Sequence, residues 1–178
     1  MIDPNIIKEI LFNISKNIII PSFGNLSNNQ ISYKNGVDIV TDIDITVEQF
    51  LDNELSKLIN KSYFIGEEIF SKNPSILKYY LSNEYCWTVD PIDGTNNFAK
   101  SRDRFATMIA LTKNKSFIQS FIYKPMTNEF MYTNNGEVFL DEKKINIEKK
   151  ATIENALGSI STKYWDDDEK KKIISIKD

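Results

Sequence analysis

A chain of 178 residues with no histidine cannot build a serine–histidine triad, a histidine general base or a histidine-ligated zinc site, which leaves carboxylates, hydroxyls and the backbone for any chemistry. Its 22 basic and 25 acidic residues give a net charge of -3, so no cationic surplus faces a nucleic-acid backbone, and 41% hydrophobic content is enough for the core of one domain. The single cysteine forbids an internal disulfide, Met1-Ile2-Asp3-Pro4 opens no basic-then-apolar leader, and no apolar run approaches the ~20 residues of a membrane helix; the expectation is a cytoplasmic protein without a membrane or nucleic-acid partner.

Asp3-Pro4 reads as a helix start, and Ile6, Ile7, Ile10, Leu11, Ile14 and Ile18 recur at helical spacing until Pro21 and Gly24 end the pattern. The Asn/Ser-rich stretch from Asn25 to Gln30 reads as a loop, and residues 31–40 as an extended segment leading to Asp44. A second helix follows, with Val47, Phe50, Leu51, Leu55, Leu58 and Ile59 on its apolar face. Cys86-Trp87-Thr88-Val89 is β-branched, aromatic and apolar, so it predicts a buried strand that delivers Asp90 to its carboxyl end, with Cys86 a small core residue rather than a reactive thiol. Beyond Phe105, four short β-like runs near 106–111, 117–123, 129–133 and 138–140 are broken by turn-forming residues and predict an antiparallel meander. Residues 156–161 read as one more strand and 165–176 as a charged surface helix. The run Asp166-Asp167-Asp168-Glu169-Lys170-Lys171-Lys172 suits a solvated helix face, acids first and bases later, better than a metal site.

The chemistry concentrates in Asp90-Pro91-Ile92-Asp93-Gly94-Thr95. Pro91 has no N–H and is expected to stop the strand ladder, so Asp90, the Ile92 carbonyl and Asp93 can offer three oxygens to one hard cation. Gly94 lacks a side chain, and where Thr95-Asn96-Asn97-Phe98 opens a short helix the N–H groups of Gly94 and Thr95 can face an anion. A strand, a turn and an ordinary helix cap would produce the same local pattern. The haloacid dehalogenase arrangement fits poorly, since the acid position two after Asp90 is Ile92, which cannot transfer a proton. Six glycines scattered singly build neither a dinucleotide fingerprint nor a Walker loop.

The segment from Asp90 to Thr95 with the following Asn97-Phe98 resembles the signature of the inositol monophosphatase family of magnesium-dependent, lithium-sensitive phosphatases. Phe64-Ile65-Gly66-Glu67-Glu68 is similar to that family's Gly-Glu-Glu segment, and Asp38-Ile39-Val40-Thr41-Asp42-Ile43-Asp44, with Lys34 ahead of it, to its Asp-x-Val-Thr-x-x-Asp segment. Order and spacing agree from Lys34 to Thr95, and residues 105–111 and 121–125 resemble the strands that follow. The resemblance covers roughly residues 1 to 160. It implies an α+β fold of the inositol monophosphatase/fructose-1,6-bisphosphatase type, a layered α/β sandwich with N-terminal helices on an antiparallel sheet and the second sheet largely missing.

It further implies hydrolysis of a small phosphate monoester, inositol monophosphate-like, by a magnesium-activated water, with two or more Mg2+ ions or Mn2+ in their place. The metal ligands would be Glu67, Asp90, the Ile92 carbonyl and Asp93, and the catalytic residues Asp44, Thr95 and Glu67. Phosphate would lie on Gly94, Thr95 and Asp93, and the complete form would be a homodimer acting on a small phosphorylated metabolite. Glu68 would stand behind Glu67, and Lys34 would add charge near the phosphate. Bland roles remain open beside these: Thr41 and Asp44 have capping-box spacing, and Glu67 and Glu68 could be a solvated strand exit. The family's later Trp-Asp segment, a further metal ligand, has no counterpart, since Trp165-Asp166 is followed by Asp167-Asp168-Glu169 rather than small residues. The expectation is therefore a metal-binding α+β domain over residues 1–155 and the start of a truncated C-terminal part over 156–178. The competing reading is a catalytically silent domain that binds metal or a partner through the same carboxylates.

Overall fold

The computed structural model describes residues 1–34, 38–146, 165, 166 and 168. The chain divides into two compact units, Met1–Ile145 and Asn146–Asp178. The strand expected at 156–161 and most of the helix expected at 165–176 lie outside the described residues.

The first unit is α+β. It opens on α1 (Pro4–Ile14), capped by the Asp3 carboxylate, which accepts from the Asn5 N–H at 3.0 Å. The helix widens into a π turn over Ser15–Ile19 and closes with α2 (Ile20–Ser22), where Pro21 removes a backbone donor. The extended segment expected next is a hairpin of two strands, β1 (Ile31–Lys34) and β2 (Asp38–Thr41), paired antiparallel from Ile31↔Thr41 to Lys34↔Asp38. α3 (Asp42–Leu58) follows directly, then β3 (Tyr63–Gly66), α4 (Glu67–Lys72) and a 3₁₀ segment over Pro74–Tyr79. The 3₁₀ segment and α4 carry too few periodic residues to show in the sequence.

β4 (Tyr85–Asp93) leads through α5 (Thr95–Ala99) into the meander: β5 (Ala106–Lys113), β6 (Ser116–Lys124), β7 (Glu129–Asn134), β8 (Glu137–Leu140) and a short β9 (Lys143–Ile145). The four predicted β runs are all strands, and β9, three residues long and lysine-rich, is an unpredicted fifth. The seven strands lie in the order β3-β4-β5-β6-β7-β8-β9, antiparallel throughout except for β3 beside β4.

Alternation along β4 decides what each face touches. Trp87 and Val89 join Ile7, Leu11, Ile14, Val47, Leu51, Leu55, Phe121 and Phe130 in the main core under α1 and α3. Cys86 faces the other way, into a small cluster with Ile65 and Ile76. Burial pushes its thiol up to about 11, which suits a core residue and not a nucleophile. No helix among the described residues is long and apolar enough to cross a membrane.

Leu51 is fully buried between α3 and the sheet, so Leu51→Ala should destabilise the fold by about 2–5 kcal/mol. Phe117 is 72% exposed, so Phe117→Ala should stay within about 0.5 kcal/mol of the parent. Urea unfolding followed by tryptophan fluorescence distinguishes the two.

Candidate active site

The signature segment is a strand with a deliberate fault in it. Asp90 pairs with Met108 and Asp93 with Ala106, so Pro91 and Ile92 together stand opposite Thr107 alone. That is a bulge, and the Thr107 hydroxyl pins it by donating to the Pro91 carbonyl at 2.8 Å. Pro91 therefore interrupts the ladder rather than ending it, because pairing resumes at Asp93. Residues three apart on a regular strand face opposite sides; the extra residue re-aims Asp93 towards the side of Asp90. The charge of Asp93 is felt at Asp90.

Gly94 then turns the chain at φ +89°, a left-handed conformation, and a Cβ there would sit 2.8 Å from the Arg104 carbonyl. Conformation and space both call for glycine. α5 starts at Thr95 and is held from below by Phe98, which packs against Phe23 and Phe105 with ring centroids 5.8 and 5.0 Å away. The Asn97 amide donates to the Arg104 carbonyl at 2.8 Å, tying α5 to the strand that follows.

Asp44 serves two masters. Its Oδ2 accepts from the Thr41 N–H at 2.8 Å and the Thr41 hydroxyl at 2.6 Å, closing a capping box at the start of α3. Its Oδ1 lies 3.1 Å from the Thr95 hydroxyl. That hydroxyl is also 2.9 Å from the Ile92 carbonyl, so its one proton is divided between two acceptors and a lone pair of the Ile92 oxygen stays available. The capping role and the pairing with Thr95 coexist. Burial raises the Asp44 carboxyl above its ordinary range, opposed by the hydrogen bonds from Thr41 and Thr95 and reinforced by the charge of Glu67.

Sheet topology delivers Glu67. β3 and β4 are parallel, with Gly66 opposite Val89, so the next residues, Glu67 at the end of β3 and Asp90 within β4, come side by side at one edge. Glu67 and Glu68 begin a helix here rather than a solvated strand exit: Glu67 is exposed and Glu68 is buried. Sequence reasoning passed over a further residue, Glu48. It lies buried one turn beyond Asp44 on α3 and accepts from the N–H groups of Glu68 and Ile69 at 2.7 and 2.9 Å. The signal was present, because Glu48 falls within the buried stripe of Val47, Leu51 and Leu55, where a carboxylate needs a reason. The side chain of Lys34 lies outside the described residues.

The structure thus brings Asp44, Thr95, Ile92, Asp93, Gly94, Glu67 and Asp90 to one edge of the sheet. Among the described residues, no three acidic side chains converge tightly enough to grip an ion between them. Glu67 and Asp93 are exposed at the rim, and Asp90 sits half-buried between them. Asp90 Oδ1 is buried with no hydrogen-bond partner. A buried carboxylate oxygen without a donor, ringed by like charge, suits a hard divalent cation with oxygen ligands, and the donors around it are all oxygens.

Burial, then the charges of Glu67 and Asp93, push the Asp90 carboxyl up to about 7. An aspartate in an unfolded chain titrates near ~3.9, so the fold holds this proton more tightly than the unfolded chain does. The resulting stabilisation is complete below about pH 4 and disappears as pH rises through about 7. In chelator, the melting temperature should therefore rise as pH falls from about 8 to about 6. A flat or falling midpoint across that window would contradict the reading of Asp90 as a carboxylate strained by its neighbours.

A model of the inositol monophosphatase family matches residues 6–176. An inositol monophosphatase of Dictyostelium discoideum is 33% identical over 161 residues, which make up 90% of this chain and 56% of that protein. An inositol-1-monophosphatase of Rhizobium meliloti is 26% identical over 162 residues, 90% of this chain and 58% of its own. The Thermotoga maritima IMPase has the same fold, with a TM-score of 0.69 at 23% identity over 83% of this chain and 54% of that one. An inositol monophosphatase family protein of Staphylococcus aureus superposes with a TM-score of 0.73 at 19% identity over 96% of this chain and 61% of its own. The chain spans a little over half the length of these relatives. Three motifs brought to one sheet edge, a matched family model and a shared fold lead to one statement: this chain belongs to the inositol monophosphatase family.

Proposed function

We propose that this chain carries the metal- and phosphate-binding half of a magnesium-dependent phosphatase acting on a small phosphate monoester of the inositol monophosphate kind. The observation that carries the reading is the Thr95 hydroxyl, seated between buried Asp44 and the Ile92 carbonyl and beside the acidic edge. Glu67, Asp90 with its unpartnered oxygen, the Ile92 carbonyl and Asp93 would hold Mg2+ or Mn2+. Bound metal supplies a more acidic water and neutralises charge on the phosphoryl oxygens.

The chain's own residues do the rest. Thr95 Oγ accepts from the attacking water and passes its proton towards Asp44 Oδ1, whose raised affinity makes it a better acceptor than an exposed aspartate. Glu67, at the open rim, takes part in orienting that water. The N–H groups of Gly94 and Thr95 have no partner within α5 and serve the phosphate oxygens, with Asp93 alongside. Buried Phe98 keeps α5 from tilting away, so hydroxyl and N–H groups act from one fixed origin.

Phosphate release from a panel of small monoesters, with magnesium and with chelator, tests the reading. Thr95→Ala should lower turnover about 10² to 10³-fold, the scale of one lost transition-state interaction, and Thr95→Ser should keep most of it. Magnesium-independent turnover, or full activity in an Asp90→Asn/Asp93→Asn double variant, would overturn it. Magnesium should also raise the melting temperature more at pH 8 than at pH 6, because the proton on Asp90 competes with the ion.

A further inference from the structure

The buried carboxylate of Glu48 is the one ionisable group of α3's core-facing side that the mechanism above does not use. It is 2% exposed, and both its oxygens are committed to the start of α4: Oε2 to the Glu68 N–H at 2.7 Å and Oε1 to the Ile69 N–H at 2.9 Å. A carboxylate that bridges two successive N–H groups fixes their direction in a way one bond cannot. The backbone makes room for it. Gly66 has φ -97° and ψ 158°, an extended conformation open to any residue, so its glycine is not explained by backbone freedom. A Cβ on Gly66 would fall 2.1 Å from Glu48 Cδ and 2.2 Å from Oε2, and that collision is the reason for a glycine at this position.

The geometry points to Glu48 as a positioning residue for Glu67: a clamp from α3 that orients the first turn of α4 so that the Glu67 carboxylate meets Asp90 across the β3–β4 edge. Asp44 and Glu48 are one helical turn apart and share a face of α3. One rigid helix therefore sets both the proton-accepting pair, through Asp44 and Thr95, and the acidic rim, through Glu48 and Glu67. Burying an anion among apolar neighbours disfavours its charged form, and burial does raise the Glu48 carboxyl, opposed by the two backbone bonds. A site with no task would be expected to hold an apolar residue there.

The inference rests on the reading of Glu67 as a metal ligand, and its test reads metal affinity rather than turnover. Mn2+ binding to the full chain is followed by electron paramagnetic resonance, and Mg2+ binding by calorimetry, for the parent, Glu48→Gln, Gly66→Ala, Glu48→Ala and the Glu48→Ala/Gly66→Ala double variant. Residues that orient a ligand without touching the ion are worth roughly 10 to 100-fold in affinity. Glu48→Gln, which loses one of the two acceptors, and Gly66→Ala, which displaces the carboxylate, should each weaken binding by about that factor while far-UV circular dichroism stays that of the parent. In the double variant the added methyl enters the space that Glu48 vacated, so affinity should match that of Glu48→Ala alone, with the two effects not adding. Parent-like affinity in a folded Glu48→Gln chain overturns the clamp and leaves the metal site standing. Additive losses in the double variant also overturn it, since they would mean that Gly66 acts without Glu48. A parent chain that binds neither ion overturns the metal reading of Glu67 and the clamp with it.

Discussion

The Asp44 carboxylate is buried and divided: Oδ2 closes the start of α3 against Thr41, and Oδ1 takes the Thr95 hydroxyl from 51 residues further along the chain. The helix start and the Asp44–Thr95 pair are thus a single hydrogen-bonded unit. Its direction matters, because the acceptor is held by three donors before any ligand arrives and needs no rearrangement. The price is a carboxylate out of water, tolerated because each of its oxygens has a donor.

Around that unit the fold gathers charge that a stability-minded design would scatter. Two like charges ~4 Å apart at an effective dielectric of ~20 repel by about 4 kcal/mol. The bulge at Pro91 and Ile92 and the parallel pairing of β3 with β4 both act to bring such charges nearer. What resists them is structure of ordinary kind: the Thr107 hydroxyl on the bulge, the Phe23–Phe98–Phe105 cluster beneath α5, and the core of Trp87, Leu51 and Phe121 under the whole edge. Placing the strain at the mouth and the packing below it lets the site be unfavourable locally without loosening the sheet.

How much of this could be read from the chain follows from the range of each interaction. The turn at Gly94, the short helix at Thr95 and the strand ahead of Asp90 are set by neighbours a few residues away, and they stand as the residues predict. The double role of Asp44 was also legible, because capping-box spacing and a motif in register pointed to one residue from two directions. Glu48 was not read: its place in the stripe of Val47, Leu51 and Leu55 signalled burial, but a glutamate is exposed by default and the backbone that holds this one lies 20 residues later. The resumption of pairing at Asp93 was missed for a similar reason, since proline's local effect is to end a ladder and Thr107, which bridges the gap, is distant in sequence. The hairpin β1–β2 hid in a stretch that reads as merely extended.

The parallel register of β3 on β4 carries one more consequence. Glu67 and Asp90 adjoin because Gly66 faces Val89, and nothing in that relation depends on how many residues separate them along the chain. The 3₁₀ segment after α4 is tied to that pairing, because Ile76 packs on Ile65 and Cys86 and Tyr79 stacks on Tyr63, but the exposed turn at residues 81–84 is not, and residues gained there alter the path between the two carboxylates and not their meeting. A single-residue slip within the four paired positions would do the opposite, turning each side chain to the wrong face. The meeting of the two acids is thus set by the eight paired residues of β3 and β4, and the length of that exposed turn is free of it.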